Sequence, residues 1–178
     1  IPQDQKWDEQ FQQRILEQYE RLTQQAAAGQ PDLIIWPETA APGVLEVDAA
    51  VTARVKSVAR TSGIPILMGA PMVRPDAQGF LHLTNSAVLL EADGTIAARY
   101  DKMHLVPFGE FVPFESVAPW LREILPPIGE FAAGREPTVF TAAGGRVPLG
   151  VLICFEDTFP ELARALVRRG ARMLVTIT

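Results

Sequence analysis

Short apolar runs, each closed by a proline, a glycine or a polar break, constrain this chain more than any other feature. Residues 32–36 (Asp-Leu-Ile-Ile-Trp), 64–70 (Ile-Pro-Ile-Leu-Met-Gly-Ala), 147–153 and 173–177 are of strand length. A run such as 32–36, continuously apolar after Asp32, predicts a strand buried on both faces, and such a strand needs covering layers. Candidate covers lie between the runs. Residues 7–28, with Phe11, Ile15, Leu16, Tyr19 and Leu22 at three- and four-residue steps, have helical spacing, as do 47–62 and 162–169. Gly29, Gly63 and Gly170 close them. Residues 83–90 and 95–100 flank Asp93-Gly94 and predict a hairpin, and 138–140 predicts a further strand. The alternation of strands and helices predicts an α/β layered fold in a single domain over 1–178.

Composition narrows the class. A chain of 178 residues, 48% of them hydrophobic, can fill one core. A net charge of −5 without a basic stripe argues against nucleic acid as a partner. One cysteine excludes a disulfide scaffold, and two distant histidines, His82 and His104, make no metal cluster, so no metal or cofactor is expected. No run approaches the ~20 apolar residues of a membrane span. The chain starts without Met or a signal-peptide pattern and stops on an uncapped strand, which reads as a piece of a longer protein.

The lone cysteine, Cys154, stands where the run 147–153 meets the polar break Phe155-Glu-Asp-Thr-Phe-Pro160. A thiol at a strand end beside a helix N-terminus suits a nucleophile, because the backbone is rigid and the helix favours the thiolate. It also suits a small buried hydrophobe. Glu38 follows the first run in Trp36-Pro-Glu-Thr-Ala40, at a strand's carboxyl end where ligand-binding groups collect; a capping role for the next element is the alternative. Lys102 follows the hairpin, between predominantly apolar flanks, where an ammonium needs a partner; a solvated surface lysine is the alternative. Together the three would form a nucleophilic site. Glu38 would take the thiol proton, and Lys102 would stabilise the thiolate and then an oxyanion. His104, two residues from Lys102 on an extended chain, would face away and act structurally.

These motifs, with Lys102-Met-His-Leu-Val-Pro-Phe-Gly-Glu-Phe-Val-Pro113 between the Glu38 and Cys154 segments, resemble the Glu-Lys-Cys pattern of the nitrilase superfamily. Within it the chain resembles the apolipoprotein N-acyltransferase family of bacterial envelopes. The Pro107-Phe-Gly-Glu110 extension is the most specific feature, since soluble amidases of the superfamily usually lack it. The resemblance covers almost the whole chain and implies a four-layer αββα sandwich, truncated on its C-terminal side. It implies Cys154 as nucleophile, Glu38 as general base and Lys102 as oxyanion stabiliser. Glu110 is implied as a further carboxylate that pairs with Lys102, and Glu156, Trp7 and Phe155 as supporting or substrate-contacting residues.

The implied reaction passes the sn-1 acyl chain of a phospholipid through a cysteine thioester to the N-terminal amine of an apolipoprotein. It takes place at the bacterial inner membrane, with the catalytic domain facing the periplasm or cell exterior. Two other readings stay open at this point: a soluble nitrilase-type amidase that resolves the same intermediate with water, and a non-catalytic interaction domain. The segment 107–131, rich in Pro and in large apolar residues including Phe108, Phe111, Phe114 and Trp120, reads either as a loop packed on itself or as a lid that contacts a membrane surface. A short helix is expected over 117–124.

Overall fold

The computed structural model describes residues 9–111, 130–141 and 147–178. The expected helix over 117–124, together with Trp7, Phe114 and Trp120, lies outside them. In chain order the elements are α1 (Glu9–Ala27), β1 (Ile34–Ile35), α2 (Ala49–Ser62), β2 (Ile66–Pro75), β3 (Leu81–Leu90), β4 (Ile96–Asp101), β5 (Val139–Phe140), β6 (Leu149–Ile153), a 3-10 turn (Cys154–Thr158), α3 (Pro160–Arg168) and β7 (Met173–Ile177). One sheet has the order β1-β2-β3-β4 and the other β5-β6-β7. The β1–β2 and β6–β7 pairs are parallel, the others antiparallel.

Side-chain alternation sorts the two sheet faces into separate cores. Ile66, Met68, Ala70 and Met72 of β2, with Val88 and Leu90 of β3, pack with Val51, Val55 and Val58 of α2 and Leu16 of α1. The intervening residues Leu67, Ala87, Leu89 and Tyr100 turn the other way and meet Phe140, Leu149, Val151 and Ile153 of the second sheet. Leu152, on that sheet's far face, packs with Leu162 and Leu166 of α3. Helices, sheet, sheet and helix are therefore stacked in the αββα order that the sequence resemblance implies.

Helix ends follow local chemistry. Asp48 caps α2 by accepting a hydrogen bond from the Val51 N–H, and Gly63 ends the helix at φ 66°, a left-handed conformation open to glycine.

Two strand readings need correction. The run 32–36 is not a strand buried on both faces: β1 is a two-residue edge strand, with Ile34 buried and Ile35 44% exposed. Strand β2 does not stop at Ala70 but continues through Pro71 to Pro75. Pro71 is accommodated because it stands opposite Asn85 with its carbonyl turned to the other edge, where it accepts from the Leu45 N–H.

Candidate active site

Glu38 is placed by the edge of β2. Beyond β1 the chain keeps following that edge: the N–H groups of Ile34, Trp36, Ala40 and Leu45 donate in turn to the carbonyls of Pro65, Leu67, Gly69 and Pro71. The Gly69 N–H donates back to the Pro37 carbonyl. A Cβ at Gly69 would lie 2.6 Å from the Glu38 Cα and from the Thr39 nitrogen, so only glycine admits this approach. Thr39 adopts φ 50° as the loop turns.

Lys102 follows β4, its backbone N–H donating to the Asn85 carbonyl at 2.8 Å. Its side chain is 1% exposed and its Nζ lies 3.3 Å from Glu38 Oε1 and 2.9 Å from Glu110 Oε2. Burial alone would push the ammonium towards deprotonation. The hydrogen bonds and charges of Glu110 and Glu38 outweigh it and hold the Lys102 pKa above the ordinary lysine range. Glu110 sits on the turn after Val106, whose N–H donates to Glu110 Oε2 at 2.8 Å. The segment 131–134 braces this loop: Phe131 N–H bonds to the Glu110 carbonyl, Ala132 N–H to that of Leu83, and Gly134 N–H to that of Lys102.

Cys154 opens the 3-10 turn with φ 50°, a left-handed conformation that costs a non-glycine residue strain. The expected helix N-terminus is not directly at the thiol: α3 starts at Pro160, after the five-residue turn. Cys154 is partly buried and packs against the inter-sheet core beside Met103.

Glu156, wholly buried two residues on, joins the two halves of the site. Its Oε1 accepts from Tyr100 Oη at 2.6 Å, Met103 N–H at 2.7 Å and His104 N–H at 3.1 Å, while Oε2 accepts from Ile153 N–H at 2.9 Å. The carboxylate thus ties the residues after Lys102 to the residue before Cys154. Burial and the adjacent Glu156 charge push the Tyr100 hydroxyl far above its ordinary range, so it remains a donor.

The structure brings Glu38, Lys102 and Glu110 into one hydrogen-bonded cluster, and Glu156 ties the backbone that follows Lys102 to Ile153, the residue before Cys154. Phe155 is 38% exposed and meets Phe159 edge-on at 5.2 Å. His104 stacks on Phe159 at 4.0 Å, its Nδ1 3.9 Å from Glu156 Oε1, away from the Glu38–Lys102 pair. Sequence reasoning missed Asn85 and Gly69. Asn85 had a signal: Thr84-Asn-Ser86 puts three polar residues in succession inside a strand otherwise apolar from Val88 to Leu90.

The Carbon-nitrogen hydrolase family model matches residues 3–178. The chain belongs to the carbon–nitrogen hydrolase family. Among members of known name it is 42% identical over 179 residues to an apolipoprotein N-acyltransferase of Geobacter metallireducens, with all of this chain aligned to 34% of that protein. An apolipoprotein N-acyltransferase of Methylococcus capsulatus is 38% identical over 181 residues, again with 34% of its length covered. The chain therefore spans about a third of these relatives. Among solved structures, a nitrilase-superfamily amidase from Nesterenkonia superposes with a TM-score of 0.67 at 24% identity, covering 93% of this chain and 59% of the amidase. That likeness shows the fold. No helix of the described residues is long and apolar enough to cross a membrane.

Proposed function

We propose that this carbon–nitrogen hydrolase domain transfers an acyl chain from a phospholipid, through a thioester on Cys154, to the N-terminal amine of a diacylglyceryl-cysteine lipoprotein. The observation that carries this reading is the buried Lys102 ammonium held between Glu38 and Glu110, with Glu110 supplied by the Pro107-Phe-Gly-Glu110 extension. The names of the relatives favour acyl transfer over amide hydrolysis, which the fold likeness alone would equally suit.

In the first half-reaction Glu38 accepts the Cys154 thiol proton and the sulfur attacks the carbonyl carbon of the sn-1 ester. Lys102 donates to the oxyanion that forms. Collapse breaks the ester C–O bond, and Glu38 returns the proton to the departing lysophospholipid oxygen. In the second, the lipoprotein amine attacks the thioester carbonyl, its nitrogen gives a proton to Glu38, and the C–S bond breaks. The thiolate recovers that proton. One ester becomes one amide, and the balance closes without an oxidant or co-reactant. Glu110 positions Lys102, and Phe155, partly exposed beside Cys154, contacts the substrate. The site works at the outer face of the bacterial inner membrane.

Intact-protein mass spectrometry after incubation of the intact enzyme with phospholipid tests the first half-reaction. The expected result is an acyl adduct on Cys154 that is absent in Cys154→Ala and is discharged by a lipoprotein amine. An adduct formed equally well without Cys154 overturns the mechanism, and discharge by water alone turns the reading towards a hydrolase.

A further inference from the structure

Glu38 and Glu110 share more than Lys102. Asn85, 5% exposed in the middle of β3, donates one N–H of its Nδ2 to Glu38 Oε1 at 2.8 Å and the other to Glu110 Oε1 at 2.7 Å. Its backbone carbonyl accepts from the Lys102 N–H at 2.8 Å. One residue therefore touches all three charged members of the cluster. Its Oδ1 is buried without a hydrogen-bond partner among the described residues, so both amide donors are retained although the acceptor beside them goes unpaired.

Charge counting shows what this arrangement solves. Two carboxylates face one ammonium, which leaves a net negative charge in a poorly solvated place. Such a pair tends to relieve itself by taking up a proton on one member. A base that holds a proton at rest cannot accept one from a thiol. A second cation would neutralise the pair, but it would also compete with the thiol for Glu38. An amide offers a donor to each carboxylate and adds no charge.

We infer that Asn85 is a positioning residue that orients the Glu38 carboxylate and spaces it from Glu110, with Oε1 anchored and Oε2 left for the Cys154 proton. The inference rests on Glu38 acting as the base. The charged groups that bear on Glu38 are Lys102, just past β4, and Glu110 on the following turn, which shares both Lys102 and Asn85 with it. On β2 the backbone nearest Glu38 is Gly69, which brings no charge.

The test uses the intact enzyme, in which the rate of acyl-adduct formation on Cys154 and the rate of its alkylation by iodoacetamide are followed against pH. Asn85→Ala removes two donors from ionised acceptors. Hydrogen bonds of this kind carry enough free energy to slow acylation at neutral pH by about 10- to 100-fold. Because the lost donors favoured the charged carboxylates, the acid limb of both profiles moves to higher pH, by about one unit. The KM for phospholipid stays as it was.

Asn85→Asp keeps the shape and replaces the amide by a third carboxylate, so it is expected to be slower than Asn85→Ala above the carboxylate range. This isosteric variant carries the test if the alanine variant does not fold. A folded variant with wild-type rate and an unmoved acid limb overturns the inference. A rate loss with the limb unmoved also overturns it, because that is the mark of a merely structural residue. Absence of any adduct in the wild-type enzyme would instead count against the acyl-transfer reading, while the alkylation profile still reports on Asn85.

Discussion

At the scale of single residues, the site depends on how buried charges are matched. The raised pKa of Lys102 fixes the sign of its effect on stability. Its folded value lies above the unfolded one, so its contribution is full below the unfolded lysine value of about 10.4 and is lost as pH rises through the higher folded value. Urea denaturation at stepped pH is expected to give stability that declines faster above about pH 10.4 in the wild type than in Lys102→Met. Parallel curves would remove Lys102 from that limb.

The Tyr100–Glu156 bond offers a second check. Tyr100→Phe leaves a buried carboxylate short of one donor and should cost about 1.5–3 kcal/mol of unfolding free energy, measured by denaturant titration. A change under about 0.5 kcal/mol, the scale of an ordinary surface substitution, would show that the bond adds nothing. Glu38, Lys102 and Cys154 could be picked from the sequence because each stands just past a strand. The partners of Glu156 could not, because three of its four donors are backbone N–H groups and the fourth is a tyrosine hydroxyl, none with a motif of its own.

Among elements, β2 does the most to build the site. One edge carries the Glu38 loop and the other pairs with β3, which carries Asn85. Gly69→Ala would press a methyl group into the Glu38 backbone, as the 2.6 Å approach shows. It is expected to lower acyl-adduct formation on Cys154 by more than about tenfold through misplacement of the base, with circular dichroism unchanged. An alanine variant of wild-type rate would mean that the loop tolerates the shift.

Helices could be read closely because their caps are local: Asp48 and Gly63 bound α2 within two residues of the expected span. Strand lengths could not. Pro71 looks like a terminator until its carbonyl is seen to serve a neighbouring loop, and β1 looks longer than it is because Trp36 is apolar and bonds to Leu67 although the strand ends at Ile35.

For the molecule as a whole, the alternation of apolar and amphipathic runs made an α/β layered fold legible, while the αββα order of the layers came from the family resemblance. The rim of the site is less well covered. Phe108 is 46% exposed, and the tip between β2 and β3 leaves Phe80 69% and Leu81 65% exposed. Leu83, next along β3, bridges to Phe131 and so joins that tip to the loop that carries Glu110. If the proposed acyl transfer draws its donor from a bilayer, this apolar rim should face lipid. Replacing Phe80, Leu81 and Phe108 by serine is expected to weaken binding to phospholipid vesicles in a flotation assay and leave iodoacetamide alkylation of Cys154 unchanged. Undiminished flotation would detach the rim from the membrane.

Glu156 also sets a mechanical condition. Its side chain has no exposure to water, and its four donors come from β4, the two residues Met103 and His104 beyond it, and β6. Parting the sheets would strand an anion in an apolar seam, so the backbone after Lys102 and the residue before Cys154 are latched together. On the proposed function, whatever adjustment a substrate needs then falls to the loops at the rim and not to the sandwich.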